Sequence, residues 1–347
     1  MGEVRVGLFP DALAPTDGDP AQMRATLDRV ADAGIDHLCV GDHVSFFVGA
    51  GSDGLINAAS LLTAQAALPV YVALYLLPLR HPVTVARQLA TIAQLAPGRL
   101  TLGVGVGGED RHEIEICGVD PTTRGRRMDE SLHILRGLAE GTPVTVAGDF
   151  FTVDDALILP APSPAVPLVV GGRSDAAVSR AARLGDGWLG IWVSPRRYAA
   201  VRDDIARQAE DLGRDPSRFE HALNVWCGFG ATHEAARAIL AERMEDFYRM
   251  PFAPFERSSP YGTPEAVAAF LRPYVDAGCS TFNVIPCARD DDEAIAAVGE
   301  LRALLTTSAA PIVGSSPTHR SVLRQPGEAR VAAGRGAGDQ ASGSAAM

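Results

Sequence analysis

Short apolar runs alternate along this chain with longer segments in which apolar residues recur every three or four positions. Residues 71–77 form one such run, residues 82–96 show the longer period, and residues 100–104 form the next run. A short apolar run is typical of a strand buried on both faces, whereas a period near 3.6 residues is typical of an amphipathic helix. Residues 71–104 therefore predict a strand, a helix and a second strand parallel to the first.

The same alternation continues over most of the chain and predicts eight strands with helices between them. The strands are predicted at 4–9, 37–41, 71–77, 100–104, 168–171, 188–192, 221–229 and 281–286. The helices are predicted at 20–33, 57–68, 82–96, 124–140, 174–184, 195–212, 232–248 with 263–277, and 290–306. This order favours an α/β fold, the (β/α)8 TIM barrel, with residues 1–307 as one domain.

Three insertions and a tail depart from a minimal barrel. Residues 46–54 form a glycine-rich loop, residues 144–159 predict a β-hairpin, and residues 250–262 are rich in proline and aromatic residues. Long loops at the mouth of a barrel often serve as lids or substrate walls. Residues 308–347 are rich in Ala, Gly and Ser and have few large apolar side chains, so we expect a disordered C-terminal tail.

Composition excludes several kinds of chemistry. All 31 of the Lys and Arg residues are arginine. Without lysine, the chain cannot be an enzyme that uses a lysine Schiff base, pyridoxal phosphate or a lysine-containing nucleotide loop. A formal net charge of −11 argues against nucleic acid and anionic membranes as partners, because both are bound by basic surfaces.

The cysteines and the apolar segments indicate the cellular compartment. The five cysteines are scattered and show no CxxC or Cys/His spacing that would suggest zinc. No apolar run reaches the length of a membrane span, and the first residues lack the apolar core of a signal peptide. We therefore expect a cytoplasmic protein with reduced thiols and no membrane partner.

Polar side chains gather where the predicted strands end. Asp42 and His43 follow the second strand, Arg80 and His81 the third, and Glu109 the fourth. In parallel α/β folds, ligands bind beyond the carboxyl ends of the strands. A histidine beside an aspartate can act as acid, base or hydrogen-bond donor, and a buried carboxylic acid can donate a proton. A loop pair that caps the next segment, and a solvated carboxylate, are the alternatives.

The fifth predicted strand ends in Gly171-Gly172-Arg173-Ser174. Glycines allow the backbone to approach an anion, a helix N-terminus offers N–H donors, and Ser174 is a good N-cap. Arg173 adds a charged donor. The segment is a candidate phosphate site, with an ordinary turn and serine cap as the alternative.

Several motifs together resemble the luciferase-like monooxygenase superfamily. They are Gly41-Asp42-His43, Arg80-His81-Pro82, residues 86–90, 98–105 and 123–130, Gly171-Gly172-Arg173-Ser174, and Gly185-Asp186-Gly187-Trp188. They follow the family's order over about residues 4–305. The resemblance implies a TIM-barrel redox enzyme that uses FMN or the deazaflavin coenzyme F-420. The absence of lysine suggests a GC-rich genome such as that of an actinobacterium, and these bacteria make coenzyme F-420, which favours that cofactor.

The resemblance also implies roles for individual residues. His43 and Glu109 are the expected catalytic pair. The expected cofactor contacts are Asp42, Ala73, Leu74, Gly107, Gly108, Gly171, Gly172, Arg173 and Ser174. A non-proline cis peptide is implied at Ala73-Leu74. The expected substrate contacts are Phe47, Arg80 and His81, and Phe47 stands where relatives often carry tryptophan.

The sequence thus predicts an oxidoreductase that transfers a hydride between coenzyme F-420 and a small organic substrate, with a homodimer as the expected assembly. An FMN-dependent monooxygenase of the same fold is the alternative. A non-catalytic flavin-binding protein and a metal-dependent barrel hydrolase are less favoured. The hydrolase would hold its metal with Asp42, His43, His81, Glu109 and His112. Such barrels usually need a histidine pair at the first strand, where Phe9 and Pro10 stand.

Overall fold

The computed structural model describes residues 3–10, 18–47, 49–108 and 110–307. Its strands are β1 (Arg5–Leu8), β2 (His37–Val40), β3 (Val70–Leu76), β4 (Leu100–Gly105), β5 (Val144–Ala147), β6 (Thr152–Ala156), β7 (Leu168–Gly171), β8 (Gly187–Gly190), β9 (Glu220–Phe229), β10 (Tyr261–Gly262) and β11 (Thr281–Cys287). Its helices are α1 (Pro20–Asp32), α2 (Gly54–Ala64), α3 (Pro82–Leu95), α4 (Arg111–Ile116), α5 (Arg124–Ala139), α6 (Asp175–Leu184), α7 (Pro195–Asp211), α8 (His233–Tyr248), α9 (Pro264–Asp276) and α10 (Asp291–Thr306). The predicted tail and the predicted acid Glu109 lie outside the described residues.

Eight parallel strands close into a barrel, which confirms the predicted fold class. The hydrogen-bonded order is β9-β11-β1-β2-β3-β4-β7-β8, and β8 pairs with β9 to close the ring. The short β10 adds a parallel bridge at the end of β9. Strands β5 and β6 pair antiparallel outside the barrel, as the predicted hairpin at 144–159 requires.

Two helices differ from the sequence-based expectation. Helix α2 begins at Gly54 rather than residue 57, because the Asp53 side chain accepts hydrogen bonds from the N–H groups of Leu55 and Ile56 and caps the helix there. Helix α4 was not predicted, since it has only six residues and too little apolar periodicity. Both differences lie at the mouth of the barrel, where hydrogen bonds from side-chain caps determine where a helix begins. No helix in the described ranges is long and apolar enough to cross a membrane.

The barrel strands bury both faces. One set of side chains fills the barrel interior and includes Phe9, Cys39, Tyr71, Val169 and Leu189. The alternate side chains of the same strands pack against the surrounding helices in a larger apolar cluster. Because successive residues of a strand point to opposite faces, this arrangement explains why the strands appear in the sequence as continuous apolar runs.

Candidate active site

A cavity of about 820 Å³ opens at the carboxyl ends of the barrel strands. That volume lies in the upper part of the range for small-molecule sites, so it can hold a large cofactor together with a small substrate. One end of the cavity is lined by backbone at glycines, and the other end is lined by aromatic side chains.

The glycine end, formed by Gly105, Gly107, Gly171, Gly172 and Arg173, lies at the ends of β4 and β7. Gly172 has φ of +130°, and a Cβ built there would lie 2.8 Å from the Cβ of Ala177. A side chain at this position is therefore both strained and crowded. The next residues start α6, whose N–H at Ala177 is accepted by the Ser174 hydroxyl. This backbone can approach a phosphate closely.

Solvent screens the charge of Asp175, which lies in the first turn of α6. Its side chain is fully exposed, and its nearest cation is Arg197, at 3.8 Å. The exposed Arg173 places its guanidinium 5.5 Å from the centre of the Trp192 ring. The side chain of Arg173 is thus available for an anion at the glycine end.

Ala73 and Leu74 line the cavity between its two ends. The peptide bond between them is cis, at the position that the resemblance implies. A Cβ added to Gly105 would lie 2.8 Å from Leu74 Cδ1, and one added to Gly171 would also collide with that side chain. The two glycines therefore make the space in which the Leu74 side chain lies beside the cavity.

A buried chain of polar groups, not foreseen from the sequence, supports this segment. Asn224 donates to the carbonyl oxygen of Ala73 at 3.1 Å, and Asn283 donates to Asn224 Oδ1 at 2.9 Å. His37 Nε2 lies 2.8 Å from Asn283 Oδ1 and must donate to it, because an amide oxygen only accepts. Burial lowers the pKa of His37, which keeps its ring neutral. In the sequence, the one signal for this arrangement is the alternation of side chains along β9 and β11, which places both asparagines on the strand face that points into the barrel.

Asp42 is an anchor for the loops around the site. Its carboxylate accepts from both terminal nitrogens of Arg80 at 2.7 Å, and from the N–H groups of Gly54 and Leu76 at 2.9 and 2.8 Å. Burial raises the pKa of Asp42, while the Arg80 guanidinium and the two N–H donors oppose that rise. Asp42 lines the cavity, yet its oxygens are already occupied by these four donors.

His43 is held by a carboxylate from another strand end. Its Nδ1 lies 3.0 Å from Oε2 of Glu113 in α4. The Glu113 side chain is buried, and its Oε1 accepts from the N–H groups of Val44 and Ser45 at 2.6 and 3.1 Å. Nδ1–H donation to the carboxylate leaves Nε2 as the nitrogen that can serve a ligand, because His43 itself lines the cavity.

The remaining carboxylates near α4 have other surroundings. Asp110 caps α4 through the N–H of His112 and accepts from the N–H of Phe47 at 2.7 Å. His112 is exposed. Glu113 is therefore the carboxylate of this segment that contacts His43 among the described residues. From the sequence it was only one of several neighbouring acids.

Several predicted site residues do not line the cavity. The expected substrate contact Arg80 is bound to Asp42, and the other, His81, packs edge-on against Phe151 with ring centres 5.4 Å apart. Phe47 has φ of +44°, and its ring centre lies 4.3 Å from that of Phe46, which lines the cavity. Gly108 and Ser174 lie just beyond the lining residues.

The aromatic end of the cavity comes from parts of the chain that are far apart in sequence. Its rings belong to Phe46, Trp192, Trp226, Phe247 and Tyr248. Phe46 lies 4.1 Å from the His43 ring and 5.1 Å from the Phe247 ring, centre to centre. Trp226 donates its indole N–H to the Tyr248 hydroxyl at 3.1 Å. These contacts form an apolar wall beside His43.

Among the described donors proposed for a hydrolytic metal, Asp42, His43 and His81 have other partners. Within the described ranges, no group of three or more His, Cys, Asp and Glu side chains could hold a metal ion. Asp42 is bound to Arg80, His43 to Glu113, and His81 lies away from the lining.

Comparison with known proteins identifies the family. The sequence profile of luciferase-like monooxygenases matches residues 7–264. The chain belongs to this family. Within it, the chain is similar to an F-420-dependent glucose-6-phosphate dehydrogenase from Nakamurella multipartita, with 34% identity over 164 residues. That alignment covers 45% of this chain and 47% of the relative.

Other luciferase-like proteins differ in cofactor. An FMNH2-dependent dimethylsulfone monooxygenase from Pseudomonas fluorescens is 32% identical over 186 residues, covering 53% of this chain and 50% of the relative. The chain thus spans about half the length of these two curated relatives. The solved structure of an F-420-dependent secondary alcohol dehydrogenase in complex with an F-420-acetone adduct has a TM-score of 0.76 and 21% identity, covering 88% of this chain and 99% of that one. This likeness shows the shared barrel fold.

Proposed function

We propose that this protein is an oxidoreductase that transfers a hydride between coenzyme F-420 and a small organic substrate. The observation that carries the proposal is His43, held through Nδ1 by the buried Glu113, at the edge of a cavity with a glycine-lined end. A histidine fixed in this way can present Nε2 to a substrate oxygen and hold or release its proton.

The cavity residues fit a cofactor with a flat ring system and a phosphate. Gly171, Gly172 and Arg173 would hold the phosphate, since they offer close backbone and a guanidinium. Leu74 would lie against the ring. When bound, the deazaflavin supplies or accepts the hydride. The aromatic wall would exclude water from the reacting atoms.

FMN is the second candidate cofactor, because it also carries a ribityl phosphate and the glycine end would fit it equally well. The FMNH2-dependent relative supports this alternative. In that case the protein would be a monooxygenase, and His43 would lie beside the site of oxygen chemistry.

Titration of the full-length chain with each cofactor tests the proposal. We expect coenzyme F-420 to bind, and the bound F-420 to change redox state with an alcohol or carbonyl compound under anaerobic conditions. Gly172→Val should weaken F-420 binding, whereas Gly213→Val, at an open position with φ of +71°, serves as the control for backbone strain. Tighter binding of FMN, with oxygen consumed when FMN is reduced, would replace this proposal with the monooxygenase.

A further inference from the structure

The two ends of the cavity differ in the charges that they offer to a ligand. At the glycine end, the available cation is Arg173. At the aromatic end, the last turns of α8 present Arg243, Asp246 and Phe247 to the cavity. These residues are spaced i, i+3 and i+4, so they share one helix face. The family motifs of the sequence include none of these three residues.

Most other charged groups that line the cavity are already bound within the protein. The Asp42 carboxylate is bound by Arg80, and the His43 ring by Glu113. Arg243, by contrast, is exposed and makes no ion pair within the part of the chain that the structure describes. Asp246, one turn further along α8, makes no ion pair there either. Arg243 and Asp246 thus offer an available cation and an available anion at the aromatic end, and Arg173 is a second cation, beside Trp192.

The rings around Arg243 define the shape of a ligand at this end. Phe46, Trp226 and Phe247 form one wall, with the Phe247 and Trp226 ring centres 5.5 Å apart. Phe247 is 41% exposed and lines the cavity, so part of its ring is accessible to a ligand there. Stacked or edge-on contacts with these rings favour a flat, unsaturated molecule. His43 packs directly on Phe46, which places its ring next to such a molecule.

We propose that the aromatic end is a substrate subsite for a flat aromatic molecule that carries one anionic group, with Arg243 binding the anion. This inference rests on the proposed function, because the glycine end is then occupied by the cofactor. Asp246 rejects ligands with a second negative charge and sets the distance between the anion and the rings. Arg243 and Cys287 both line the cavity, and Arg243 belongs to a different segment from Arg173, whose guanidinium lies 5.5 Å from the centre of the Trp192 ring.

Two fluorescent probes distinguish the contribution of an anionic group to binding from the contribution of the aromatic rings. 8-Anilinonaphthalene-1-sulfonate and N-phenyl-1-naphthylamine share one ring system and differ by the sulfonate. The full-length protein and its variants are titrated with each probe, without cofactor. Arg243→Gln should weaken sulfonate binding by about tenfold and change binding of the neutral probe by less than about twofold, as expected for a charge-assisted contact that is partly exposed to solvent. Asp246→Asn should strengthen sulfonate binding several-fold.

Two further variants locate the probe. Arg196→Gln removes an exposed arginine on α7 that does not line the cavity, and it should leave both affinities unchanged. Phe247→Ala should weaken both probes. The proposal is overturned if the wild-type protein binds neither probe, or if Arg173→Gln rather than Arg243→Gln removes the preference for the sulfonate. Probe binding is measured without any redox step. If the protein failed to bind the cofactor, the proposed function would be refuted, but the probe titrations would still test the role of Arg243.

Discussion

Replacement of Glu113 by glutamine is the sharpest test of the site. Glu113 Oε1 accepts from two backbone N–H groups, and its Oε2 lies 3.0 Å from His43 Nδ1. Glutamine has nearly the same shape and can preserve the backbone contacts through its oxygen. Its NH2 group would then face His43 Nδ1 and act as a donor. The His43 ring would have to accept at Nδ1, so the proton of the neutral ring would move to Nε2.

The size of the effect follows from these contacts. A wrong tautomer removes Nε2 as a proton acceptor, and loss of the carboxylate removes the charge that stabilises a protonated ring. Comparable losses of a general acid or base lower turnover by ~10²–10⁴. Three charge-assisted hydrogen bonds of the carboxylate become neutral ones, and the free energy of unfolding should fall by about 1–2 kcal/mol. The glycine end is untouched, so cofactor affinity should stay within about threefold.

The assay measures kcat, KM and cofactor Kd for the wild type, Glu113→Gln and Glu115→Gln. Glu115 is two residues away on α4 and exposed, so its variant controls for a change of charge on this helix. His43→Ala should lower kcat as much as Glu113→Gln, and the double variant should lose little more, because the two residues act as one unit. A folded Glu113→Gln protein with kcat within threefold of the wild type would refute the role given to this pair.

Three other variants test the cavity and the fold. Gly172→Val should raise the cofactor Kd by ~30–1,000-fold, equal to about 2–4 kcal/mol. The reason is that the backbone there has φ of +130° and an added side chain would also collide with Ala177. Titration of a folded variant measures this Kd, and an unchanged value would contradict the phosphate site. Asp42→Ala should destabilise the protein by about 2–4 kcal/mol, because the largely buried Arg80 loses its bidentate partner and keeps only the longer pair with Asp53 at 3.4 Å. Asp175→Ala, at an exposed carboxylate, should cost little. Denaturant unfolding compares the two variants, and equal stability would contradict the anchoring role. Burial lowers the pKa of His221 to about 4 from 6.5, so the folded state binds fewer protons than the unfolded state between these pH values. Stability should therefore be lost as pH falls from about 6.5 to 4, by at most about 3 kcal/mol, and His221→Phe should flatten this part of the Tm profile.

The sequence alone was sufficient for the architecture. The eight strands follow from apolar runs, since each barrel strand buries both faces, and the helices follow from a period near 3.6 residues. His43, Gly171 and Gly172 could be placed at the mouth because each follows a predicted strand, and a parallel barrel gathers those ends at one face. These features depend on residues that are close together in the sequence, so the sequence pattern alone can predict them.

The partners of these residues were decided by the tertiary structure. Arg80 was expected to contact substrate, but closure of the barrel brings it against Asp42, which is 38 positions away in the sequence. The choice between Phe46 and Phe47 depends on a positive φ at Phe47, which residue type does not disclose. Glu113 reaches His43 because β2 and β4 flank β3, and the segments that follow these two strands meet above it at the mouth of the barrel.

The aromatic end of the cavity depends most on the tertiary structure. Arg243 and Phe247 lie on an ordinary amphipathic helix, and nothing in its period separates a face that lines a cavity from one that meets solvent. Whether a face of α8 lines a cavity depends on which loops and strand ends pack opposite this helix. Those segments lie up to about 200 residues away in the sequence. Sequence pattern therefore determined the barrel and the location of its mouth, whereas the packing of distant segments determined which side chains face each other inside it.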